Sequence, residues 1–195
     1  MAYSDFPNGV TSFGMPVVGS GVLPAGNAYW FVDSVVGNNG NDGSWDSPFA
    51  TIDFAVGKCT ADKGHVIVAK PGHNESVTAA AGLDLDVSGI TVVFLGEGAT
   101  QARVTFNTAV GADMDVDAAN ITLINPLFVT GFDALTGPID VNAADFKIIN
   151  GEYRDAAAKA ATDCIVADSG ADRMVIDGWK FIDSFAAYEP DECYD

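Results

Sequence analysis

The chain has 195 residues and a mass of 20.2 kDa, with 27 acidic against 9 basic residues and a formal net charge of −18. That length suits one domain with one core, and no charged or low-complexity linker divides it. The charge argues against nucleic acid and anionic membrane as partners, because binding phosphates relies on lysine and arginine to displace counterions. Acidity of this kind keeps a β-rich surface soluble, and stacked carboxylates also suit Ca²⁺.

Three cysteines, Cys59, Cys164 and Cys193, show no CxxC spacing. Their odd number cannot close a disulfide framework, and structural zinc is not expected. Residues 1–7 contain no basic stretch leading into an apolar run, and no 18-residue apolar run occurs. The sequence therefore predicts no secretion signal, no membrane span and synthesis in a cytoplasm. On that expectation the sequons Asn74-Glu-Ser and Asn120-Ile-Thr are chance matches.

Residues 1–27 carry Pro7, Pro16 and Pro24 among Gly9, Gly14, Gly19, Gly21 and Gly26, which disfavours helix and sheet interiors and predicts an extended arm. Its apolar residues Phe6, Val10, Phe13, Met15, Val17, Val18, Val22 and Leu23 are too many for a solvated linker. The arm is expected to lie against another surface; folding back on its own domain is the alternative.

Tyr29–Asp33 reads as a first strand, followed by the loop Gly37-Asn-Asn-Gly-Asn-Asp-Gly. A capping helix is predicted over residues 47–59, with Ser47 as N-cap, Pro48 at the first helical position and Phe49, Ile52 and Val56 on one face. A helix there hides the apolar interior and open strand edges of whatever sheet begins beside it. Further short strands follow at His65–Ala69, Leu83–Val87, Ile90–Leu95 and Val104–Phe106.

An internal repeat then sets the architecture. Met114-Asp-Val-Asp-Ala-Ala-Asn-Ile-Thr-Leu-Ile-Asn returns 25 residues later as Ile139-Asp-Val-Asn-Ala-Ala-Asp-Phe-Lys-Ile-Ile-Asn, and a looser third copy starts at Cys164. Short alternating segments at this period predict a parallel β-helix, one coil per copy, over residues 28–184. Met114, Val116, Ile139 and Val141 face inward at one register and Ile121, Leu123, Phe146 and Ile148 at a second. In the third copy Ile176-Asp177-Gly178 aligns with Ile149-Asn150-Gly151, which places Asn125, Asn150 and Asp177 at one corner. An amide ladder and ordinary turn preference both account for that corner. Residues 185–195 form an acidic tail without a further repeat, so the last coil is capped by a partner, by this tail or by sequence beyond it.

Candidate chemistry is sparse. The Gly37–Trp45 loop partly matches a calcium nonapeptide, through Gly37, Gly40 and Asp42, but fails at Asn38 and Ser44 and lacks a tandem copy. Asp84 with Asp86 and Asp115 with Asp117 lie at strand spacing, and Asp115 stacks over Asp140. Paired carboxylates of this kind hydrolyse glycosides, while a solvated outer face is the plainer reading. A β-helix lyase needs a calcium cluster and a base, and Arg103, Arg154 and Arg173 occupy no register that gathers them beside those acids. His65 and His73 belong to no His-Glu-x-x-His, and neither Gly-x-Ser-x-Gly nor a phosphate-cradling loop occurs. Trp30, Trp45, Trp179, Tyr153 and Tyr188 suit a sugar groove or, by default, core and corner packing.

The run Phe31-Val-Asp-Ser through Asn41-Asp-Gly-Ser-Trp-Asp-Ser-Pro-Phe-Ala-Thr-Ile-Asp-Phe-Ala-Val, then Val66-Ile-Val-Ala-Lys-Pro-Gly-His, resembles the opening of right-handed parallel β-helix proteins of the pectate-lyase-like group. That group includes lyases, adhesins, tailspikes and inert virion parts, so the likeness speaks to fold more than to function. The arm, Asp5-Phe-Pro-Asn-Gly-Val-Thr-Ser-Phe-Gly-Met-Pro-Val, joined to this start and to Gly57-Lys-Cys-Thr-Ala, resembles structural proteins of tailed-bacteriophage heads. The resemblance implies a capsid-associated or decoration subunit, and it supplies no catalytic residues.

The expectation is an all-β chain, a right-handed parallel β-helix acting as a non-enzymatic virion protein on the capsid exterior. The arm, through Phe6, Val10, Phe13, Met15, Val17 and Val18, is expected to dock on the major capsid protein, and the chain to form a homotrimer. No metal or cofactor is expected. The alternative is a tail-fibre or tailspike component that binds or cleaves host polysaccharide.

Overall fold

The computed structural model describes residues 28–156 and 159–182, and upstream of them the strands β1 (Thr11–Ser12), β2 (Met15–Val18) and β3 (Gly21–Val22). These three pair antiparallel in a sheet of their own, so part of the expected extended arm is a short β-meander. The side chains of Phe6, Val10, Phe13, Met15, Val17 and Val18, and the tail 185–195, lie outside the described residues.

The solenoid begins with β4 (Tyr29–Val32) and the helix α1 (Ile52–Val56). The first full coil is β5 (Val66–Ala69), β6 (Asn74–Val77) and β7 (Leu83–Asp84); the second is β8 (Thr91–Phe94), β9 (Arg103–Phe106) and β10 (Met114–Val116). The third is β11 (Thr122–Ile124), β12 (Leu127–Thr130), β13 (Leu135–Thr136) and β14 (Ile139–Val141). The fourth is β15 (Lys147–Ile149), β16 (Glu152–Asp155), β17 (Ala161–Asp163) and β18 (Val166–Ala167), and β19 (Val175–Asp177) and β20 (Lys180–Ile182) open the next. All pairings among these strands are parallel, in ladders β4-β5-β8-β11-β15-β19, β6-β9-β12-β16-β20, β7-β10-β14-β18 and β13-β17. The chain is thus a parallel β-solenoid of about four turns, as the repeat requires.

Period-2 alternation fills the interior. Leu83, Met114 and Ile139 stack in register, as do Ile67, Val92, Leu123 and Ile148, and all are buried. The inward positions foreseen at Val116, Val141, Ile121 and Phe146 are buried as well. Each such side chain contributes about 1.5–3 kcal/mol on burial. A third inward row, Val104, Phe128, Tyr153 and Phe181, belongs to the β6-β9-β12-β16-β20 ladder, most of which the sequence pattern did not reveal. Its first rung is Glu75, a buried polar residue at an inward position, so the Asn74–Val77 strand lacks apolar alternation.

Three local expectations are corrected. The helix covers Ile52–Val56, not 47–59, and Thr51 is its N-cap, its hydroxyl accepting from the Phe54 N–H. Phe49 instead bridges to Val32, with its N–H bonded to Phe31 O, so Ser47 and Pro48 belong to the loop. The short helix still closes the first coil, burying Ile52, Ala55 and Val56. In the third copy, Asp140 faces Val166, which places Ile165 rather than Cys164 opposite Ile139. Ile149 faces Asp177, so the corner position above Asn125 and Asn150 is Gly178 rather than Asp177. Asn125 (φ 57°), Asn150 (φ 53°) and Gly178 (φ 71°) are all left-handed, a conformation that asparagine and glycine tolerate best. The Asn125 side chain donates to Phe94 O at 3.0 Å, a bond to backbone that favours turn chemistry over an amide ladder.

Candidate functional site

The repeat stacks carboxylates on the outer face of the β7-β10-β14 ladder. Asp84, Asp115 and Asp140 are direct register partners on successive strands, each between inward-facing apolar neighbours, and the row ends at Val166. Adjacent strands stand about 4.8 Å apart, which brings side chains on one row to roughly the 5–5.5 Å carboxyl separation of retaining glycosidases. Asp53 of α1 reaches this face and accepts from the Asp84 N–H at 3.3 Å; Asp117 accepts from Asn142 Nδ2 at 2.9 Å. Asp113 accepts from the Ala81 N–H.

Proton affinity is raised at all three carboxyls of the row. Burial first, then Asp113, Asp117 and Asp140, pushes the Asp115 carboxyl up to about 6. Burial, then Asp86, Asp117 and Asp53, raises Asp84; burial, then Asp168 and Asp113, raises Asp140, with the Asn142 hydrogen bond pulling the other way. The Oδ1 atoms of Asp84, Asp115 and Asp140 are buried without a hydrogen-bond partner among the described residues. A carboxyl with raised proton affinity beside further carboxyls is an arrangement that general acid–base chemistry uses. Ion pairs among the described residues are Lys70–Asp33, His73–Glu75, Arg154–Glu152 and Arg173–Asp145, and none includes the row. Among the described residues no group of three His, Cys, Asp or Glu side chains is placed to hold a metal ion.

The other sequence candidates go elsewhere. His65 Nδ1 accepts from the Thr60 N–H at 3.2 Å, and His73 is buried with Nε2 3.0 Å from Glu75 Oε2, so both serve the first coil. Burial pushes the Cys59 thiol up to about 11, which makes it a poor nucleophile. The Gly37–Trp45 loop spends its polar side chains on its own frame: Asn38 accepts from Gly40 N, Asn39 from Ala50 N and Asp42 from Ser44 N, and Asn41 donates to Pro48 O. The aromatics do not converge on the carboxylates. Trp30 packs on Phe49, Trp179 on Phe128 and Tyr153, and half-exposed Trp45 lies against Phe31 and under Lys70, while Tyr188 lies outside the described residues.

The ladders define a parallel β-solenoid. The chain is similar to a solved structure titled rhamnogalacturonan lyase, with a TM-score of 0.52 and 16% identity over 80% of this chain and 51% of that one. The chain thus spans about half the length of that neighbour, and at this identity the likeness is one of fold. No family model and no curated protein matches the sequence. The neighbour corrects the expectation that the chain is not an enzyme: its fold is that of a named lyase, and the exclusion does not stand.

Proposed function

We propose that the chain is a virion component of a tailed bacteriophage, a rigid acidic β-helix held on the particle by its N-terminal segment. One observation carries the reading: the phage-like segment Asp5–Val17 includes strands of a sheet separate from the solenoid's, and runs into a β-helix whose first coil is already closed by α1. A rod closed at one end, with an apolar segment outside its own ladders, suits display on a larger body. The partner is the major capsid protein, the chain acts as a homotrimer, and many copies on one particle gain avidity from modest contacts. Quantitative mass spectrometry of purified particles tests this. A copy number near that of the capsid subunit supports a decoration protein, a few copies per particle shift the position to the tail, and absence from particles rejects the proposal.

The carboxylate row favours a second reading, a tail component that binds or cleaves host polysaccharide. Asp115 is its proton donor and Asp84 or Asp140 the ionised partner, which is the acid pair of glycoside hydrolysis. The assay is release of reducing ends from host capsular or cell-wall polysaccharide. Release that Asp115→Asn abolishes supports this reading, and no release by the full chain removes it.

A further inference from the structure

One outer face of the solenoid differs from the others. In the β4-β5-β8-β11-β15-β19 ladder the outward row Phe31, Val68, Val93, Ile124 and Ile149 is apolar for five successive strands and meets its first charge at Asp177. Beside it run Tyr29, Val66, Thr91 and Thr122, with a charge first at Lys147. The outer faces of the neighbouring ladders carry Asp84, Asp115 and Asp140, or Arg103, Glu152, Arg154 and Lys180. Although these positions point away from the core, Val66, Val68 and Val93 are only 0%, 3% and 5% exposed and form a hydrophobic cluster separate from the interior. Strand neighbours at about 4.8 Å flank a valine without roofing it. The helix α1 lies on the inner side with Ile67, and the Trp45 ring packs against Phe31 at the start of the row.

We propose that this face is the docking surface for residues 1–27 of the same chain. The segment enters the structure beside it: Ala28 O accepts from the Val66 N–H at 3.0 Å, and β4, the edge strand of this sheet, follows at once. Its chemistry matches the face, since it has many apolar residues and a single charged side chain, Asp5. A nearly uncharged segment of the same chain meets no repulsion from the acidic solenoid and pays little closure entropy over so short a connection. The residues that cover the sheet are those proposed above to hold a particle, so attachment requires their release.

The test is photo-crosslinking in the free, full-length protein, with p-benzoylphenylalanine introduced separately at Phe31 and at Ile124, and circular dichroism confirming an intact β-solenoid. Two positions guard against one variant failing to fold. The expected result is an intramolecular adduct from each to peptides within residues 1–27. Adducts only between copies assign the face to self-association and overturn the proposal, as does the absence of adducts to residues 1–27. Because the protein is free of particles, the outcome is independent of whether the virion reading holds.

Discussion

His73 and Glu75 form a buried pair inside the first coil, Nε2 to Oε2 3.0 Å, and the same carboxylate oxygen accepts the Ile52 N–H at 2.9 Å. Glu75 therefore ties the first residue of α1 to β6. Replacing it by alanine strands two buried donors beneath the helix. Each buried donor left unsatisfied costs about 1–3 kcal/mol, and Glu75→Gln, which keeps one acceptor, is expected to cost less. Urea unfolding of the two variants measures the difference; equal stability of Glu75→Ala and the wild type would show that the helix is not held this way.

The carboxylate row links stability to pH in a stated direction. Asp115 has a folded-state pKa near 6, above the ordinary aspartate value, so between about pH 4 and 6 the folded chain holds more protons than the unfolded one. Its contribution is therefore favourable at low pH and is lost as pH rises through that window. The stability difference between wild type and Asp115→Asn is expected to change over the same window, with the variant gaining on the wild type above pH 6. Unfolding midpoints from pH 4 to 8 check this, and a difference flat across the range contradicts it.

The left-handed corner separates two asparagines that look alike in sequence. Asn125→Ala forces a side chain into the strained region and also removes the Nδ2 bond to Phe94 O, for an expected loss of about 2 kcal/mol. At Asn150, glycine relieves the backbone requirement, and Asn150→Gly is expected to be close to neutral. Thermal unfolding of both variants tests the ordering.

Gly37 opens the loop that bridges β4 and α1 and leaves no room for a side chain. A Cβ there lies 2.2 Å from Phe49 O and 2.3 Å from Asp33 O, both backbone atoms that cannot give way cheaply. Gly37→Ala is expected to lower stability and to loosen the Val32–Phe49 bridge, seen as faster amide exchange at Phe49 and Asp33. Unchanged exchange at both amides overturns the account.

Sequence pattern and structure agree where burial follows period 2 and part where a polar residue points inward. Met114, Val116, Ile139 and Val141 announce their ladder because each alternates with an outward polar residue. Asn74–Val77 is a strand whose inward residue is Glu75, and Leu127–Thr130 is an apolar run whose alternation is masked by Leu127 and Val129. Helix signals at Ser47 and Pro48 were local, and a bridge from Phe49 to Val32 overrode them.

The sequence by itself determined the coil period, two of the inward apolar rows and the stacking of Asp115 on Asp140, since a repeat without insertions fixes register. Only the tertiary structure decided what depends on insertions and on distant segments meeting. It set Asp84 as the third carboxylate of the row, put Gly178 at the corner and closed the first coil through Glu75, which lies 23 residues from the Ile52 N–H it accepts. Register in a solenoid is a sum over every preceding turn, so one inserted residue moves all later contacts, and burial of a charge depends on partners that sequence proximity does not disclose.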